Sequence, residues 1–104
     1  MRPWIQEDWE FTLTVLQGEA RQCRIGLETG DEFTFHYALP AGICPKTVPH
    51  LHTLCEIIRC GGDFTHRDSP DMYRIDFPCT DGVIRFRLEG RRLPHAPDDP
   101  RSHP

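Results

Sequence analysis

Lysine is nearly absent from this chain. Of its 12 basic residues Lys46 is the one lysine and the rest are arginines, so its positive charge sits on groups suited to planar, bidentate partners. Positive charge is not in excess either. The formal net charge of −4 removes any general attraction for phosphate backbones, and no nucleic-acid partner is expected. No apolar run approaches the roughly 20 residues of a membrane span. The start, Met1-Arg2-Pro3-Trp4-Ile5-Gln6-Glu7-Asp8, lacks the apolar stretch of a secretory signal. The expectation is a reducing cytoplasm and no membrane partner.

Paired cysteine motifs are also missing. The five cysteines, Cys23, Cys44, Cys55, Cys60 and Cys79, contain no C-x-x-C, and their number is odd. That argues against a secreted disulfide framework and against a four-cysteine structural zinc site. A Gly-rich phosphate loop, a Ser-His-Asp order and a paired-carboxylate constellation are absent as well. What remains is a set of thiols that can serve as buried hydrophobes, soft metal ligands or a nucleophile.

With 104 residues, 38% of them hydrophobic, the chain suffices for one modest core. The signal that is present is alternation. Trp9, Phe11, Leu13 and Val15 alternate with polar residues, as do Phe33, Phe35 and Tyr37, then Tyr73, Ile75 and Phe77, then Ile84, Phe86 and Leu88. Each reads as a strand with one buried face. Gly30-Asp31 and Asp81-Gly82 supply turn chemistry ahead of the second and fourth strands. Between the strand pairs, Val48, Leu51, Leu54, Cys55 and Ile58 share one face of a helix over 47–60, which Gly61-Gly62 ends. Pro45 and Pro49 make its first turn irregular. The expected architecture is α+β: a four-stranded, mainly antiparallel sheet with one helix on its apolar face, in the order β-β-α-β-β. Residues 1–93 form the domain, and the Pro-rich 94–104 has almost nothing to bury and reads as a disordered tail.

Running the first strand up and the second down, with short connections, places Cys44 and Cys79 at one end of the sheet and Cys23 and Cys60 at the other. Cys44, in Gly42-Ile43-Cys44-Pro45 ahead of the helix, is the leading candidate nucleophile, because unpaired N–H groups at a helix start favour thiolate. A small buried residue at the chain's entry into the helix is the competing reading. Cys79 is the partner thiol. Pro78 beside it removes an N–H, so the 79–84 turn is either a two-residue Asp-Gly hairpin or a longer loop with a bulge. Cys44, Cys79 and His50 together would suit a transition metal such as zinc or iron; His36 is a further histidine within reach of that end. Cys55 belongs to the apolar face and reads as core. The outward sheet face (Arg74, Arg85, Arg87, Asp76, Thr12, Thr14, Thr34 and His36) is open to water, to an anionic ligand or to a second copy of the chain.

Gly-Asp-Glu-Phe at 30–33, Gly42-Ile43-Cys44-Pro45, Arg59-Cys60-Gly61-Gly62-Asp63-Phe64, Ser69-Pro70-Asp71, Pro78-Cys79 and Val83-Ile84-Arg85-Phe86 resemble a small prokaryotic family of roughly ninety-residue proteins with no assigned reaction. The resemblance spans roughly residues 10 to 92. It implies that Cys23, Cys44 and Cys79 correspond to the family's cysteines. Cys60 stands where the family pattern has an aromatic residue and Cys55 where it has an apolar one. Cys79-Thr80-Asp81-Gly82 departs from the family's Cys-Pro-Asp. Three readings of function follow: a small accessory or binding protein with a cysteine-lined, metal- or partner-holding site, a minimal thiol enzyme using Cys44 with Cys79 as resolving thiol, or a structural subunit of a larger complex, for which a larger enzyme is the expected partner.

Overall fold

The structure, a computed structural model, describes residues 7–96; most of the expected tail, 97–104, lies outside the described residues. Strands β1 (Trp9–Gln17), β2 (Glu32–Phe35), β3 (Arg74–Pro78) and β4 (Arg85–Arg92) form one sheet in the order β2-β1-β4-β3, and the helix α1 (Val48–Arg59) crosses one face. Every neighbouring pair is antiparallel. The α+β, β-β-α-β-β architecture is therefore as the alternation implies.

The period-2 pattern sets which face is covered. Trp9, Phe11, Leu13 and Val15 are buried along β1, and Phe77, Phe86 and Leu88 along β3 and β4, beneath Leu51, Leu54, Cys55 and Ile58 of the helix. At roughly 1.5–3 kcal/mol for each large apolar side chain removed from water, this contact dominates the fold's stability. The alternation overreaches at the sheet margins. Tyr37, expected on the buried face, lies beyond the end of β2 and is 59% exposed. Ile75 is only half-buried, because β3 is an edge strand. Four core residues come from outside the regular elements: Leu27, Ile43, Phe64 and Ile84.

The helix begins at Thr47, which has helical backbone angles and no side-chain cap bond, with Pro49 inside the first turn where its missing N–H costs nothing. It ends on a Schellman motif. Gly62 N–H reaches the Ile57 carbonyl at 2.8 Å and Gly61, at φ +95°, donates to the Ile58 carbonyl at 3.3 Å.

The direction of the helix corrects the short-connection expectation. Arg59, in its last turn, donates to the His36 carbonyl at 2.7 Å, so the helix ends where β2 ends. The segment 36–47 must therefore run back along the sheet before the helix starts, a distance a chain at ~3.3 Å per residue covers easily. β1 and β4 are consequently antiparallel rather than both pointing up. Cys44 and Cys79 still share an end, but it is the end that carries Cys23, and Cys60 lies at the opposite end. His36 goes there too, beside Glu10 at 3.4 Å.

The 79–84 turn resolves a second expectation. Cys79 lies opposite Ile84, donating its N–H to the Ile84 carbonyl at 2.8 Å, while Gly82 at φ +75° closes a turn onto the Cys79 carbonyl at 2.9 Å. Pairing resumes one step before Pro78↔Arg85, so the loop holds four residues, 80–83, rather than two. Pro78 occupies a position whose amide side points to the free edge of the sheet, where no ladder bond is required.

Candidate functional site

Three segments converge at the end of the sheet where β1 stops. The loop between β1 and β2 is pinched at its base by mutual bonds between Gly18 and Thr29, and Gly18 leaves room for the Ile84 side chain, whose Cδ1 would stand 2.3 Å from a Cβ there. The excursion beyond the pinch carries Cys23 and buries Leu27. The turn before the helix carries Cys44, whose carbonyl accepts the N–H of Thr47 at 2.8 Å and of Val48 at 3.2 Å. The β3–β4 hairpin carries Cys79, whose Sγ accepts the Ile84 N–H at 3.3 Å. Cys23, Cys44 and Cys79 line one cleft of about 20 Å³ together with Leu27, Thr47, Val83, Ile84 and Phe86.

The rim of this cleft is tied by charge. Asp81 receives Lys46 Nζ at 3.0 Å and Arg24 Nε at 3.0 Å, so one carboxylate joins the hairpin to both other segments. These two partners, Lys46 first, hold the Asp81 carboxyl below the ordinary aspartate range. Thr80 Oγ1 donates to the Lys46 carbonyl at 3.1 Å. Thr47 faces the cleft differently. Its side chain is 2% exposed and its Oγ1 is the one buried side-chain polar atom among the described residues with no hydrogen-bond partner. A hydroxyl left so costs about 1–3 kcal/mol, which something must offset.

The sequence-derived candidates separate. Cys44 and Cys79 share the cleft and Cys23 joins them. His50 does not line it: the imidazole is exposed and packs edge-on to the Phe77 ring at 5.2 Å. Among the described residues no group of three or more His, Cys, Asp and Glu side chains is arranged to hold a metal ion. Cys44 stands ahead of the first helical residue, Val48, whose N–H its carbonyl accepts. Cys55 is fully buried, and burial pushes its thiol up to about 12. Cys60 is exposed at the far end, 3.9 Å from Glu56. Sequence reasoning missed Thr47, Leu27 and the Lys46–Asp81–Arg24 tie. The single lysine was the available signal, since a residue used once in a chain of arginines invites a positional reason.

Comparison with family models, with curated proteins and with solved structures finds no match to this chain. Among the described residues no helix is long and apolar enough to cross a membrane.

Proposed function

We propose that this chain is a small binding protein whose cysteine-lined cleft holds a single soft metal ion between Cys44 and Cys79, with Cys23 at its side. The observation that carries the reading is the size of the cleft relative to its lining. Cys23, Cys44 and Cys79 are among the residues lining about 20 Å³, room for one water-sized species and for no organic substrate. The larger groove beside it, about 500 Å³, is lined by Gln17, Glu19, Gln22 and Arg85 among others and by no cysteine. Space thus favours an ion over the substrate of a thiol enzyme. Zinc or iron takes four or more ligands, whereas two thiolates satisfy a softer ion such as Cu(I). The backbone N–H already donated to Cys79 Sγ suits the thiolate that metal binding requires. The unpartnered Thr47 hydroxyl offers a weak oxygen contact at the same place.

The test is anaerobic titration of the reduced full chain with Cu(I), followed by native mass spectrometry and proton release. One equivalent should bind with release of about two protons. Cys44→Ser and Cys79→Ser should each abolish binding, and Cys60→Ser should leave it intact. A chain that takes up no ion, or one whose uptake survives both serine variants, sinks the reading. A metal-free chain that instead forms a Cys44–Cys79 disulfide under mild peroxide would favour the resolving-thiol alternative.

A further inference from the structure

A second site stands apart from the cysteines, on the outward face of β3 and β4. A groove of about 400 Å³ runs between this face and the loop 67–70, and four arginines line it: Arg67, Arg74, Arg85 and Arg87. Their states differ. Arg87 is held flat by Asp76 through two bonds of 2.8 and 3.1 Å. Arg67, Arg74 and Arg85 make no ion pair with any described residue. Three guanidiniums outside any close ion pair thus gather around one groove, in a chain whose overall charge is negative. Two carboxylates, Asp68 and Asp76, also line the groove, and Asp76 acts at longer range on Arg85 and Arg74, so four arginines face two acids. Asp76 spends both oxygens on Arg87, and Glu89, the cross-strand partner of Arg74, forms no ion pair with it.

The loop wall is tied down by its own contacts. Phe64 anchors it in the core at 0% exposure, with its N–H on the Met72 carbonyl at 2.9 Å. Ser69 Oγ bonds the carbonyls of Asp71 and Arg74, and Asp71 accepts the Tyr73 N–H at 2.8 Å. Asp68 turns the chain beyond the short 3₁₀ segment Thr65–Arg67 at φ +64°, the one non-glycine residue with positive φ among the described residues.

We propose that this groove binds the phosphate group of a small phosphate monoester, such as a nucleoside monophosphate. Three unpaired guanidiniums match a dianion with three terminal oxygens better than a single carboxylate, which one arginine satisfies. The groove has the volume of a small-molecule site. The negative net charge works against a long polyanion, whose affinity rests on many phosphate contacts.

Isothermal titration of the full chain at low salt tests this, with AMP, inorganic phosphate and adenosine as probes. AMP should bind saturably at one site and more tightly than phosphate, and adenosine should not bind. Arg74→Gln and Arg85→Gln should each weaken AMP by about tenfold or more. Arg91→Gln, on the same face but outside the groove and paired with Glu10, should leave affinity unchanged. Circular dichroism checks that each variant is folded. The proposal is overturned by absence of saturable AMP binding at about millimolar concentration, by wild-type affinity in both groove variants, or by single-stranded RNA binding more tightly than AMP.

Discussion

The two ends of the sheet are built in opposite ways. At the end where the helix stops, the polar groups around Arg59 are satisfied. Its guanidinium, on a side chain 12% exposed, meets Glu56 at 2.7 Å, Glu7 at 3.1 Å and the His36 carbonyl at 2.7 Å. It also lies over the rings of Phe11 and Tyr37 at 4.9 and 5.3 Å. At the cysteine end, a buried hydroxyl has no partner, thiols outnumber their hydrogen-bond donors, and a small void remains. A saturated end serves stability, because little is left to offer a ligand. An unsaturated end retains the bonding capacity that binding uses.

Breaking the saturated end should have the largest effect. Arg59→Ala leaves Glu7 and Glu56 without their cation and uncovers Phe11, so urea unfolding should show a loss of about 3 kcal/mol. A loss under about 1 kcal/mol would place this cluster with ordinary surface pairs. At the cysteine end the sign should reverse. Thr47→Val removes the unpartnered hydroxyl at nearly constant shape and should stabilise the ion-free protein by about 1 kcal/mol. Destabilisation on the same scale would mean that the hydroxyl has a partner.

A smaller effect separates the ends by pH. The Asp81 carboxyl is held below its ordinary 3.8 by Lys46 and Arg24. Its contribution is therefore complete above that pH and is lost as pH falls through the lowered folded value. Thermal melts should show Asp81→Asn less stable than the native chain at neutral pH, with the gap closing toward about pH 2. A gap independent of pH would assign the effect to packing. Smallest of all, Cys60→Ser should change unfolding free energy by no more than about 0.5 kcal/mol, since its thiol is exposed and reaches only Glu56.

Alternation made the fold legible, because period-2 burial assigns a face residue by residue, and Phe11, Leu13, Phe77 and Phe86 follow it. It carries no information about where a strand runs out, which is why Tyr37 and Ile75 were misplaced. The helix arc and its glycine stop were readable for the same reason: Leu51, Leu54, Cys55 and Ile58 repeat at helical spacing, and Gly61 supplies the left-handed backbone the Schellman turn needs. Chain direction was not readable. Residues 36–47 contain no pattern that distinguishes a short link from a return along the sheet, and that one ambiguity sent Cys23 to the wrong end. Cys44 and Cys79 lie at a common end all the same, because helix and hairpin are both reversed. Thr47 was invisible as a site residue, since whether a hydroxyl finds a partner depends on contacts that only the folded chain creates.

The most direct measurement is protection of individual thiols. The reduced full chain is alkylated at limiting reagent with and without one equivalent of Cu(I), and each cysteine is followed by peptide mass spectrometry. Cys44 and Cys79 should label readily in the free chain and become protected when the ion is present. Cys60 should label equally in both and Cys55 in neither. Protection of Cys60, or unchanged labelling of Cys44 and Cys79, would contradict a soft-ion site at the unsaturated end of the sheet.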